Sequence, residues 1–164
     1  MKLYLKQKVF SWGDKFTVYD EYGNDKYYVR GEVFTLGKKL HVYDLSGNEV
    51  CFIHQKVLSF LPKYFINKNG VDVAQAVKNF TLFHHSYFIE GFGWSVEGDF
   101  FAHEYEIYSR TGTVATISKQ WFTWGDTYEI NIEQGVNDID ALAVVLVIDA
   151  CLQASASAAA SAST

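Results

Sequence analysis

The stretch Ile139-Asp140-Ala141-Leu142-Ala143-Val144-Val145-Leu146-Val147-Ile148-Asp149-Ala150-Cys151-Leu152 decides the architecture of this chain. It runs for about 14 residues and is apolar on nearly every side. A helix of that kind is buried all round or lies in a membrane. Asn137-Asp138 supply an N-cap pair, and Asp140 suits the first turn, where a carboxylate meets the positive end of the helix dipole. A bilayer span takes about 20 apolar residues; this run is shorter, and Asp140 and Asp149 interrupt it. The Val-Val-Leu-Val-Ile run also fits a strand, but length and capping favour a helix. The expectation is a buried core helix over about 138–152 and no transmembrane segment. The tail 153–164 holds only Gln, Ala, Ser and Thr, has nothing to pack, and is expected to be disordered, leaving a single domain over 1–152.

Upstream of the helix the chain reads as strands. Phe10-Ser11-Trp12-Gly13-Asp14 returns as Phe122-Thr123-Trp124-Gly125-Asp126, and looser copies of the same phrase start at Lys56 and Lys78. Glycine turns stand between them at Tyr22-Gly23-Asn24, Ser46-Gly47-Asn48, Asn69-Gly70 and Thr111-Gly112. Such turns between apolar alternations are the strongest short-range hairpin signal. Val29-Arg30-Gly31-Glu32-Val33-Phe34 resembles Val96-Glu97-Gly98-Asp99-Phe100-Phe101, and each is followed by a matching strand, Leu40-His41-Val42-Tyr43 or Tyr105-Glu106-Ile107-Tyr108. Two related halves and twelve strands follow, at roughly 2–10, 15–20, 26–34, 39–44, 49–56, 63–67, 71–79, 86–90, 93–101, 104–108, 113–121 and 127–132. Twelve strands need one face covered and one helix needs every face covered. Closing an antiparallel sheet into a barrel around the helix meets both demands and leaves no exposed edge. The fold class is therefore mainly β, a twelve-stranded antiparallel closed barrel around a central C-terminal helix.

The chain has 164 residues, 17% of them aromatic, with one proline, which suits half-buried strands rather than a disordered chain or a helical bundle. Cys51 and Cys151 form no metal or redox spacing, and the start of the chain lacks a signal-peptide core, so the expected location is cytoplasmic. Net charge is −5, which speaks against nucleic acid as a partner. The charge is uneven: residues 1–80 carry twelve Lys/Arg and eight Asp/Glu, or +4, and residues 81–164 carry two and eleven, or −9.

These features together resemble the LURP-one-related family, whose fold is Tubby-like and similar to the phospholipid scramblase domain. The resemblance covers residues 1 to about 152 and is nearest to the short bacterial members. It is carried by Tyr4-x-x-Gln7-Lys8 with Trp12-Gly13-Asp14, by Val96 to Tyr105, by Ile117-Ser118-Lys119 with Trp124-Gly125-Asp126-x-Tyr128, and by the terminal apolar helix. It implies a barrel around a C-terminal helix and, by way of Tubby-like domains, an anionic phospholipid headgroup held by surface Lys and Arg. The cysteine-rich and calcium-binding segments of scramblases are missing from this sequence, so scrambling is not implied.

Candidate chemistry is sparse. His103-Glu104 with Asp99 and Glu97 is the most enzyme-like cluster, but neighbours in a strand point to opposite faces, and a hairpin turn is the expected role. His84-His85 falls in a turn, and His41 and His54 read as half-buried strand residues. Asp20 to Asp25 is an acidic turn without calcium-loop alternation. No catalytic residue, metal site or cofactor site is expected. Among the cations Lys6, Lys8, Lys38, Lys39, Lys56, Lys63, Lys68 and Lys78, the adjacent Lys38-Lys39 with Arg30 and Lys56 is the expected ligand-binding set. The expected function is a non-catalytic module for an anionic headgroup or membrane surface, peripheral to a membrane. A protein partner, including a second copy through the oppositely charged halves, is the alternative. An enzyme using His103, Glu104, His84 or His85 is the remote one, because the helix fills the lumen where a pocket would lie.

Overall fold

In the computed structural model the chain is described over residues 1–6, 15–32, 35–57, 63–80, 85–122 and 125–162. Trp12-Gly13-Asp14, Leu58 to Pro62, His84 and Thr123-Trp124, which carry most of the repeated phrase, lie outside the described residues. The strands are β1 (Lys2–Lys6), β2 (Lys15–Asp20), β3 (Asp25–Gly31), β4 (Lys39–Tyr43), β5 (Glu49–Gln55), β6 (Tyr64–Lys68), β7 (Val71–Phe80), β8 (His85–Glu90), β9 (Trp94–Asp99), β10 (Glu104–Ser109), β11 (Gly112–Phe122) and β12 (Gly125–Ile132). One helix follows, α1 (Asp138–Ala162). Every strand pairs antiparallel with its sequence neighbours, and β1 pairs with β12, so the sheet is a closed barrel as expected.

Alternation along each strand separates the lumen from the outer wall. In β4, Leu40 and Val42 are buried while Lys39, His41 and Tyr43 are partly exposed. Tyr64 and Ile66 of β6 point inward and Phe65 outward. The tight turns of one barrel end are built by their own side chains. Asp20 Oδ1 accepts the backbone N–H of Tyr22 at 2.9 Å and of Asn24 at 2.8 Å. Asp44 does the same for Ser46 at 2.9 Å and Asn48 at 2.8 Å. These carboxylates serve as turn acceptors, and that is the role of the acidic turn Asp20 to Asp25.

The helix starts where its cap signals place it. Asn137 Oδ1 accepts the N–H of Ile139 at 3.1 Å and of Asp140 at 3.3 Å. Residues 141–151 are all buried, and β5, β6, β7 and β12 lie closest to the helix. By length and composition Asp138–Ser161 is long and apolar enough to cross a bilayer, and the barrel covers the apolar part of it. The end of the helix corrects the expectation of a disordered tail, because α1 continues to Ala162. Alanine has the highest helix propensity, and extending a helix already anchored in the barrel needs no new nucleus. The serines are accommodated by back-bonding: Ser155 Oγ donates to the Cys151 carbonyl at 2.9 Å, and Ser157 Oγ to the Gln153 carbonyl at 2.9 Å.

The resemblance between the halves extends to register. Gly31 of β3 pairs with Leu40, and Gly98 of β9 pairs with Tyr105. Gly98 has φ +140, and a Cβ there would fall 2.5 Å from the Glu104 carbonyl oxygen and 2.6 Å from Tyr105 Cα. Backbone cannot yield as a side chain does, so Gly98→Ala is expected to destabilise the protein by about 3 kcal/mol. Gly93→Ala, at φ +68 with nothing within 4 Å, is expected to cost about 1 kcal/mol. Urea denaturation of the two variants side by side measures the difference; equal losses would mean that the approach of β9 to β10 is not constrained there.

Candidate functional site

A groove of about 380 Å³ opens on the outer wall of β2, β3 and β4. Its side chains come from alternate positions of the three strands: Lys15 and Thr17, Tyr28 and Arg30, and Tyr43, with Gly47 of the β4–β5 turn at one end. The antiparallel register brings them together. Lys15 lies directly opposite Arg30, Thr17 opposite Tyr28, and Tyr28 opposite Tyr43. Arg30 is in turn opposite His41. Directly paired residues on one face have Cβ atoms about 5 Å apart, so Lys15, Arg30 and His41 make a row of basic side chains across three strands.

Like charges placed side by side in a sheet cost stability, and among the described residues no carboxylate pairs with the first two members of this row. The ion pairs of the described residues involve Lys2, Lys26, Lys39, Lys68, His41 and His54, not Lys15 or Arg30. Lys15 and Arg30 are both exposed. Tyr28 frames them, its hydroxyl donating to Asp25 Oδ2 at 2.8 Å.

The cations singled out from the sequence are scattered. Arg30 lies in the groove. Lys39 is held by Glu32 Oε2, with Nζ at 3.2 Å. Lys38 is half-buried at the opposite mouth of the barrel from the Asp20 and Asp44 turns, close enough to Asp149 of α1 to feel its charge; burial pushes its ammonium below the usual lysine range. Adjacent positions diverge because a strand alternates faces. Lys56 is exposed beyond the end of β5, where its N–H donates to the Lys63 carbonyl at 2.8 Å. Lys68 pairs with Asp140 at the start of α1. Lys63 is exposed, Lys6 closes β1, and Lys8 lies outside the described residues. Lys78 on β7 is partly exposed and electrostatically close to Cys151.

The second half differs in sign at the matching positions. Where β3 and β4 pair Arg30 with His41, β9 and β10 pair Glu97 with Glu106, and Asp99 lies opposite Glu104. In a ring of twelve, β3 and β9 are diametrically opposed. The Arg30–His41 pair and the Glu97–Glu106 pair thus lie on opposite sides of the barrel.

The histidines have structural partners. His103 closes the β9–β10 turn at φ +56, and Tyr128 and its Nε2 are hydrogen-bonded at 3.1 Å. Burial, and then Lys119, hold this imidazole below the usual histidine range. Glu104 leaves in another direction and accepts the Lys119 N–H at 3.2 Å. His85 begins β8, and His84 lies outside the described residues. His54 Nε2 meets Asp72 Oδ1 at 2.8 Å. No group of three or more His, Cys, Asp or Glu converges as metal ligands among the described residues. Cys51 and Cys151 are free and buried, and burial pushes both thiols up to about 12.

The architecture and the matched sequence now point one way. The LURP-one-related family pattern matches residues 1–149. The chain belongs to that family. It is 32% identical over 152 residues to the uncharacterised protein YxjI of Bacillus subtilis (strain 168), covering 93% of this chain and 94% of that one. The X-ray structure of an Arabidopsis thaliana protein has the same fold, with TM-score 0.62 and 15% identity over 90% of each chain. As a LURP-one-related barrel, the protein fits a non-catalytic binding domain in general. Lys15 carries no mark in the sequence that sets it apart from the other lysines. The available signal was that Lys15, Arg30 and His41 occupy outward positions of three successive strands.

Proposed function

We propose that this LURP-one-related domain binds an anionic phospholipid headgroup on the outer wall of β2, β3 and β4, and works as a peripheral membrane module inside the cell. The single observation behind this reading is the register that sets Lys15 directly beside Arg30 without a carboxylate partner among the described residues. An anion between two such side chains removes their repulsion and accepts hydrogen bonds from both, and the guanidinium fork suits a phosphate. Tyr28 and Tyr43 give the groove apolar walls with polar tips, the character that suits a membrane interface. The neighbouring rings do not offer a platform for nucleic-acid bases. His41, Phe52, His54 and Phe65 stack on one another at 4.6, 5.3 and 5.3 Å between centroids, so their faces are already occupied.

Each Lys or Arg at an anionic membrane surface contributes about 1 kcal/mol. Lys15→Ala/Arg30→Ala is therefore expected to weaken co-sedimentation with anionic vesicles roughly 30-fold, while Lys38→Ala/Lys56→Ala leaves it within about twofold. Binding that ignores the first pair and falls with the second would move the site to the barrel mouth.

A second reading rests on the paired carboxylates Glu97–Glu106 and Asp99–Glu104. Opposed pairs of opposite sign suit a protein partner or head-to-tail contact between copies. Light scattering at low and high salt tests it, with salt-sensitive association as the expected result.

A further inference from the structure

We propose that His41 guards the groove by holding Glu32 and Glu49 to itself and away from Arg30, and that the groove holds an anion tightly only while His41 carries both of its ring protons. The inference rests on the reading of the groove as an anion site and adds its regulation.

His41 is held between two carboxylates. Nδ1 lies 2.6 Å from Glu49 Oε2, and Nε2 lies 2.7 Å from Glu32 Oε1. A neutral imidazole has one N–H and one lone pair. Set between two carboxylates, it would satisfy one and repel the other, so both contacts hold together only in the imidazolium. The rest of the surroundings are mixed in charge. Arg30 and Glu32 face the ring from β3 and its loop, Lys39 and Tyr43 flank it on β4, and Glu49 meets it from β5, with Phe52 stacked at 4.6 Å and His54 beyond. Glu32 is held below the usual carboxylate range by the His41 contact first and by Lys39 second.

Losing the proton acts on the groove twice. The group His41–Glu32–Glu49, next to Arg30, becomes one charge more negative. One carboxylate also loses its donor. Glu32 is two residues past Arg30, just beyond the end of β3 and about 7 Å along the chain, within reach of the guanidinium once the imidazole lets go. A released Glu32 competes with the ligand for Arg30. Both effects weaken anion binding as the pH rises. One charge at this range, on a solvated wall, changes affinity by about three- to tenfold.

The test measures binding of the wild type, His41→Gln and His41→Lys from about pH 5 to about pH 9, the range in which histidine changes charge. The probes are phosphatidylcholine vesicles with and without a phosphatidylinositol phosphate and, separately, a soluble inositol phosphate. Because the phosphate groups of the probes also lose protons in this range, each variant is compared at the same pH: the expected result is wild type about three- to tenfold tighter than His41→Gln at the acid end and equal to it at the alkaline end, with His41→Lys staying tighter than His41→Gln throughout. Ring-nitrogen NMR of His41 should show both nitrogens protonated when binding is tight. A ratio of wild type to His41→Gln that does not change with pH, or a ring with one protonated nitrogen throughout, overturns the role of His41 and leaves the groove standing. No binding of either probe at any pH overturns the groove and this inference with it. A pH-dependent ratio seen with the soluble probe alone supports His41 and removes the membrane as the source of the anion.

Discussion

Asp149→Asn is expected to stabilise the protein at neutral pH by on the order of 2 to 3 kcal/mol, or roughly 5–10 °C in melting temperature. Asp149 lies on the lumen side of α1 and is 8% exposed. Burial raises its carboxyl from 3.8 to about 6, against the hydrogen bond from Gln153 Nε2 at 2.6 Å and the nearby charge of Lys38. A folded-state value above the unfolded one means that the ionised form is the strained one. The penalty is complete above about 6 and fades as the pH falls from about 6 toward 3.8, because the folded protein takes up the proton first. Wild type should therefore gain stability on mild acidification, and Asp149→Asn should lack that gain. His103 acts in the opposite sense. Its imidazole is held low by burial, so its contribution is lost as the pH falls through the usual histidine range. The variant separates the two, since only the Asp149 component disappears. Melting curves at neutral pH and near pH 5 provide the measurement. A variant less stable than wild type at neutral pH would show that the Lys38 attraction outweighs burial.

The second large effect is a cavity in the barrel axis. Leu146 is fully buried, and the wall around it is a closed sheet that cannot collapse inward strand by strand. Leu146→Ala is expected to cost about 3 to 4 kcal/mol, from lost transfer energy together with an unfilled void. Ending the chain after Gln153 removes only the exposed end of α1 and is expected to cost under about 0.5 kcal/mol. Urea denaturation of both variants tests the division of the helix into a buried and a projecting part. A truncation as costly as the cavity would mean that the projecting turns pack against the barrel mouth.

Most of the architecture could be read locally, because its signals are local. An apolar run without a polar face has to be enclosed, Asn137 caps it, and glycines at the hairpin turns mark where strands reverse. The helical tail was not legible, because low apolar content argues only against packing, whereas alanine propensity acts through an existing helix end. The candidate site was legible in part. Arg30 stands out as the one arginine of the first half, but its neighbours depend on register. A bulge-like shift between Val18 and Tyr19 sets which residues of β2 and β3 face each other, and no single-strand pattern encodes it. Lys38 and Lys39 are adjacent in sequence and end in different surroundings, the reverse of Lys15 and Arg30.

The seam between β1 and β12 has a consequence for synthesis. Lys2 pairs with Asn131, and the Met1 amine donates to the Ile132 carbonyl at 3.1 Å. The first strand made is therefore completed by the last, and the helix that fills the lumen is made later still. A ribosome adds about 5–20 residues per second, so β1 waits for its second neighbour, and the apolar inner face for its plug, for many seconds. The nascent chain spends that interval as an open, curling sheet, and exposure to chaperones and to misassembly is concentrated before the terminal helix leaves the exit tunnel.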